Sequence, residues 1–205
     1  MADKKNLEAA LEKKALYGDD IDLSKYDDND EARTKSTEDL TAGGKTKLAK
    51  VGIELDGEGR SATFIQVDNT PVQVEVEKET PLELMNTGDA AKKHPELVEK
   101  YWWKAVAPDT DKYTAKTATE REQGYFIRVR AGHKISAPLQ ACVFIGHEDQ
   151  LQRVHNVVII EEGAELNIIS GCASDPSVEN GVHIGISEFF VEKGAKLSFT
   201  MIHNW

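Results

Sequence analysis

Polar and apolar positions fall into three regimes along the chain. Over residues 1–48 the pattern is polar and mixed in charge, with a weak helical spacing at Leu7, Ala10, Leu11 and Ala15 that ends at Gly18. DDIDLSKYDDNDEARTKSTEDL holds too few apolar residues to bury, which predicts a mobile or loosely docked arm. Over 49–124 the pattern predicts a small α/β region. Val72, Val74 and Val76 alternate with polar residues, and Asp56-Gly57 and Asp68 to Pro71 supply turns, as in strands with one buried face. Thr80-Pro81-Leu82-Glu83 has the form of a capping box with proline at the first helical position, so a short helix is expected after Thr80. A second helix is expected from Pro95, with Leu97, Val98, Tyr101 and Trp102 on its apolar face. Trp102 and Trp103 read as packing plus a partly exposed ring.

The third regime, 125–205, repeats. VRAGHKISAPL, IEEGAELNIIS and VEKGAKLSFTM align on Gly132, Gly163 and Gly194, an offset of 31 residues both times. Short β-branched strands punctuated by glycine at such a period are what the stacked coils of a β-solenoid produce, although paired hairpins share the spacing. The fold expected is therefore mainly β, a solenoid core with a small α/β N-terminal region.

That register has chemical consequences. Leu166, Ile168, Ser170 and Cys172 share one strand face by the period-two rule, as do Leu197, Phe199, Met201 and His203. Parallel stacking at the repeat offset sets Cys172 beside His203, roughly 4.8 Å away, unless the loop at 175–181 shifts the register. A thiol next to an imidazole binds a soft metal or holds sulfur. Equally, a buried free cysteine often only fills space, the reading that suits Cys142 in ACVFIG. His183 and Glu188 lie five residues apart in GVHIGISEFFVE, hence on opposite faces of a regular strand, and cannot both join Cys172 around one ion without a bulge. Their plain readings are a hydrogen-bonded rung residue for His183 and a solvated or ion-paired carboxylate for Glu188. His133, His147 and His155 lack metal-ligand spacing and read as loop or surface residues.

Composition narrows the classes. A chain of 205 residues suits one domain with appendages, and a net charge of −11 without a dense basic stripe argues against duplex nucleic acid as a partner. The acidity is better suited to solubility and to cationic partners. No apolar stretch approaches the roughly 20 residues that span a bilayer. MADKKNLEAALEKK lacks the apolar region of a secretory signal, so a cytoplasmic location is expected, with free thiols or metal ligands rather than a disulfide. Zincin, P-loop, nucleophile-elbow and paired CxxC motifs are missing, which argues against an enzyme. An iron-sulfur cluster usually takes about four protein ligands, and four at convincing spacing are not offered.

GYFIRVRAGHKISAPLQACVFIG, QRVHNVVIIEEGAELNIISGCAS and VHIGISEFFVEKGAKLSFTMIHNW, with GRSATFIQVD and HPELVEKYWW upstream, resemble the SufB/SufD family of iron-sulfur cluster assembly scaffolds over about residues 50–205. The resemblance implies a right-handed parallel β-helix, a scaffold on which a transient cluster is built, a SufC-like ATPase partner and a second SufB/SufD-like subunit. It carries the family's Gly-Cys cysteine over to Cys172 as a sulfur acceptor or cluster ligand, with His203 and His183 as further candidate ligands. Family members continue well past the Asn-Trp, so a fragment, a split gene or a chain completed by another copy is expected, with an open solenoid edge prone to self-association. The competing readings are a structural or interaction β-helix without metal chemistry and, last, a carbohydrate-active β-helix. The latter needs clustered carboxylates, which do not stack at the 31-residue offset.

Overall fold

A computed structural model describes residues 4–29, 32–119 and 123–205. Residues 1–3, 30 and 31 of the expected arm, and 120–122 of the expected α/β region, lie outside the described residues. In chain order the elements are α1 (Lys4–Leu11), α2 (Ala42–Lys50), β1 (Ala62–Val67), β2 (Thr70–Val76), β3 (Leu82–Asn86), α3 (Thr87–Lys93), α4 (Pro95–Tyr101), α5 (Lys112–Thr119), β4 (Tyr125–Val129), β5 (Leu139–Ile145), β6 (Gln150–Ile160), β7 (Glu165–Ser174), β8 (Gly181–Val191) and β9 (Lys196–Asn204). The strands form two sheets, ordered β2-β1-β5-β7-β9 and β3-β4-β6-β8.

This topology corrects the β-helix expectation. The fold is α/β, with two mixed sheets and, among the described residues, five α-helices. β1 and β2 form an antiparallel hairpin and β3 runs antiparallel to β4, so each sheet contains both strand directions. The repeat misled for a physical reason. An offset of 31 does align β4 with β6, β6 with β8 and β7 with β9, while β5 meets β7 at an offset of 29, as in Leu139 with Ile168. Such a period states only how successive parallel neighbours register. It is blind to the antiparallel strands and helices that the first 124 residues add.

Between the sheets lies the main core, where Phe64, Leu84, Tyr125, Ile127, Val158, Ile160, Leu166 and Ile168 are buried and Leu197 and Phe199 are partly so. A second cluster packs Leu48, Val51 and Ile53, around the end of α2, on Cys142 and Phe144 of β5. A third joins Leu97, Tyr101 and Trp102 to Phe126, Val157 and Ile159 on the outer face of the other sheet.

Local chemistry explains where elements begin. Pro95 opens α4 as expected, and Leu97, Tyr101 and Trp102 are buried. The helix expected after Thr80 is instead strand β3: Leu82 and Leu84 alternate into the core, and Glu83 turns to Arg128, Arg130 and His94 rather than back to a cap. The helix comes one strand later, with the Asn86 side chain accepting the Gly88 N–H at 2.9 Å at the start of α3. α1 stops at Leu11, well before Gly18. The sequence reading has no counterpart for α2, whose cap is Thr41, accepting the Gly44 N–H at 2.8 Å, and whose Leu48 is fully buried. The two sheets end on β8 and β9, neighbours across the core through Phe189 and Phe199, whose ring centroids are 4.9 Å apart.

Candidate functional site

Parallel pairing of β7 with β9 sets Cys172 directly against His203, and the ladder runs unbroken from Glu165 to Ala173, so the 175–181 loop leaves the register intact. β8, from the other sheet, supplies His183. All three side chains line one cavity of about 260 Å³ near the β8–β9 end of the core, together with Tyr125, Asn156, Ser170, Ser187, Gly185 and Met201.

The glycine before the cysteine has a packing role. A Cβ at Gly171 would meet Val51 Cγ2 at 2.6 Å and Ile53 Cγ1 at 3.1 Å. Its absence lets the segment after α2 lie against the outer face of β7, while Cys172 points to the other side. Cys172 is 2% exposed, and burial pushes its thiol up to about 11, so at neutral pH it is protonated until a base or an electrophile engages it. Cys142 is fully buried in the second core cluster, and burial raises its thiol well above the ordinary value, in keeping with a space-filling role.

The two imidazoles present different atoms. Gln152 donates through Nε2 to the carbonyls of Asp68 (2.7 Å) and Phe144 (3.0 Å), which orients its amide so that Oε1 lies 2.8 Å from His183 Nδ1. Nδ1 must therefore carry the proton, and Nε2 is left with a lone pair, the outer hydrogen bond that orients a metal-ligating or base histidine. A Cβ at Gly185 would lie 2.6 Å from that Nε2, so glycine there makes room for the ring. Desolvation, and then the nearby His203, pull His183 down to about 4, which keeps it neutral. His203 has the opposite tautomer. The Trp205 indole N–H donates to its Nδ1 at 3.2 Å, so its neutral ring carries the proton on Nε2. The site thus offers one thiol, one imidazole lone pair and one imidazole N–H. Among the described residues no three His, Cys, Asp or Glu side chains converge as a metal-binding group. Cys172, His183 and His203 share a cavity without making a ligand set alone.

A polar ladder crosses the cavity from the other sheet. Asn156 accepts the Tyr125 backbone N–H through Oδ1 and donates through Nδ2 to Ser187 Oγ, each at 3.0 Å. The Tyr125 ring is 1% exposed, and its hydroxyl has no hydrogen-bond partner among the described residues. Sequence reading missed Tyr125, Asn156, Ser187 and Gln152. The signal was available, since the offset of 31 that joins Cys172 to His203 also joins Tyr125 to Asn156, Asn156 to Ser187 and Gln152 to His183.

Glu188 faces away from the cavity, as the five-residue spacing from His183 predicts. It is fully buried, accepts the backbone N–H groups of Trp103 (2.7 Å), Ala105 (2.7 Å) and Val106 (3.1 Å), and lies 2.8 Å from His155 Nε2. Burial alone would raise its carboxyl pKa, but His155 and the three N–H donors outweigh that and hold it below the ordinary value. His155, expected in a loop or on the surface, is instead 0% exposed in β6, with Trp103 stacked on it at 4.1 Å. A histidine in the run RVHNVVII gives no hint that its partner lies a strand away. His147 sits in the loop after β5 and meets Asp68, and His133 is exposed. Among the described residues no helix is long and apolar enough to cross a membrane.

Comparison with known proteins places this geometry. The family described as SUF system FeS cluster assembly, SufBD core domain, matches residues 143–205, the part that carries Cys172, His183 and His203. An iron-sulfur cluster assembly SufBD family protein of Methanothermobacter thermautotrophicus (strain Delta H) is 43% identical over 208 residues, covering 98% of this chain and 50% of the relative. A SufBD family protein of Archaeoglobus fulgidus is 48% identical over 161 residues, 78% of this chain and 42% of the relative. The iron-sulfur cluster assembly protein SufB of Bacillus subtilis is 30% identical over 120 residues, 58% of this chain and 26% of the relative. The chain spans about half the length of the first of these relatives. With the core-domain match falling on β6 to β9 and the matches to the longer relatives extending across the rest, the chain belongs to the SufB/SufD family.

Proposed function

We propose that this chain serves iron-sulfur cluster assembly as a scaffold rather than an enzyme, holding sulfur on Cys172 for a cluster that other ligands complete. The observation that carries the reading is the pairing of a buried thiol with His203 on adjacent strands, in a cavity that His183 also lines with its Nε2 unprotonated. Thiol and N–H groups suit a sulfur species better than a bare metal ion, and one imidazole lone pair beside one thiol falls short of the roughly four ligands a cluster takes. The remaining ligands then come from a second SufB/SufD-like subunit, and a SufC-like ATPase completes the assembly. The relatives' naming for iron-sulfur cluster assembly supports the same reading.

Anaerobic incubation with inorganic polysulfide, followed by alkylation and intact-mass analysis, tests it. The wild type should gain sulfur that Cys172→Ala does not. Equal sulfur uptake by the variant would reject Cys172 as the holding group.

A second reading, an interaction module, is favoured by one observation: β8 and β9 end their sheets with Phe189, Val191 and Met201 exposed. It predicts concentration-dependent association that Phe189→Lys weakens and that sulfur and iron leave unchanged.

A further inference from the structure

Removing one oxygen from Tyr125 would leave its ring contacts in place. The ring packs edge-on to Phe64 at 5.7 Å, and a phenylalanine would make that contact without stranding a polar atom. The hydroxyl is nevertheless present, on a side chain 1% exposed, with no hydrogen-bond partner among the described residues. Leaving such a group unpaired inside a protein costs stability. It lines the cavity that holds Cys172; the hydroxyls of Ser170 and Ser187 lie close to it without reaching hydrogen-bond geometry, and Cys172 lies beside them. Ser170 shares the Cys172 face of β7, and Ser187 is already supplied with a donor by Asn156. An unused donor beside a buried thiol is suited to a group that arrives on that thiol.

We propose that Tyr125 is a positioning residue whose hydroxyl donates to the terminal sulfur of a persulfide carried by Cys172, with Ser170 and Ser187 completing the cradle. The inference rests on the sulfur-holding reading above. In the loading step the Cys172 thiol gives up its proton, and its sulfur attacks the outer sulfur of a donor persulfide, RS–SH. A Cys172 S–S bond forms as the donor S–S bond breaks, and the RS⁻ released takes up a proton as RSH. The sulfur transferred keeps its oxidation level, so no further oxidant or reductant is needed. The terminal sulfur then loses a proton more readily than the plain thiol did, and the anion left is the acceptor that a buried hydroxyl serves best.

The experiment loads the full chain with inorganic polysulfide under anaerobic conditions, removes the excess, and follows sulfur on Cys172 by intact mass and by its release to cyanide. The wild type should gain sulfur at Cys172. Tyr125→Phe should gain it too but lose it roughly tenfold faster, the effect of one hydrogen bond to a charged group. In the sulfur-free state the same variant should melt no lower than wild type, because it removes an unpaired buried polar atom. A purely packing role for the hydroxyl gives the reverse, a lower melting temperature with an unchanged lifetime, and overturns the proposal. If Tyr125→Phe does not fold, Ser170→Ala reads the same cradle: faster sulfur loss supports it and an unchanged lifetime overturns it. A wild type that takes up no sulfur defeats the sulfur-holding reading together with the cradle. A wild type that loads, beside a Tyr125→Phe variant with equal lifetime, defeats the cradle alone.

Discussion

His183 and Glu188 stand five residues apart on one strand and live in opposite kinds of polar environment. On the Glu188 side the carboxylate is sealed from solvent and met by three backbone N–H groups and an imidazole. On the His183 side one ring nitrogen is fixed by Gln152, the other carries a lone pair, and the Tyr125 hydroxyl makes no hydrogen bond among the described residues. A buried carboxylate that already meets three backbone N–H groups and an imidazole has little capacity left for a ligand and acts as a clamp, here holding the segment after α4 onto the sheet. An incomplete network costs stability and keeps atoms available. Perturbed ionisation does not tell the two apart, since Glu188 and His183 are both shifted; hydrogen-bond accounting does.

The sharpest way to break this contrast is Glu188→Gln. The amide turns an NH₂ toward backbone N–H groups that need an acceptor, and disrupting a buried pair of this kind costs about 3–5 kcal/mol, to be read from urea unfolding. A loss below about 1 kcal/mol, the range of an exposed pair, would mean that the clamp is not structural. Gly171→Ala comes next. Its Cβ has Val51 at 2.6 Å, and overpacking of this sort costs about 1–3 kcal/mol; a neutral outcome would show that the segment after α2 yields freely.

Smaller effects appear in pH titration, and the two sides separate by window. Both groups are depressed on folding, so each contributes stability that is complete above its unfolded value and is lost as pH falls through its folded one. For His183 that window runs from 6.5 down to about 4, and for Glu188 it opens only below 4.5. Stability should therefore decline in two stages on acidification, with His183→Gln flattening the first and sparing the second. A single stage would merge the two environments. The smallest expected change in stability is that of Tyr125→Phe, neutral or slightly positive.

Much of the site was legible because period-two alternation and a constant offset are local rules. They set Cys172 beside His203 and put His183 and Glu188 on opposite faces, all from counting residues. Counting failed where partners came from outside the repeat. Thr80 to Glu83 has the letters of a capping box, yet the core drew Leu82 and Leu84 into a strand and Arg128 and Arg130 took Glu83. Gly171 resembled part of a chemical motif, and the structure gives it a packing reason in Val51.

By itself the sequence determined the register of β7 on β9, the faces of those strands and the start of the helix at Pro95, because each depends on residues close in the chain or on one repeated spacing. Tertiary structure alone decided that the sheets are mixed, that His155 is buried against Glu188, which tautomer His183 adopts and that the Tyr125 hydroxyl makes no hydrogen bond among the described residues. Those outcomes depend on which distant groups compete for each donor and acceptor, and that competition is settled only when the layers close on one another.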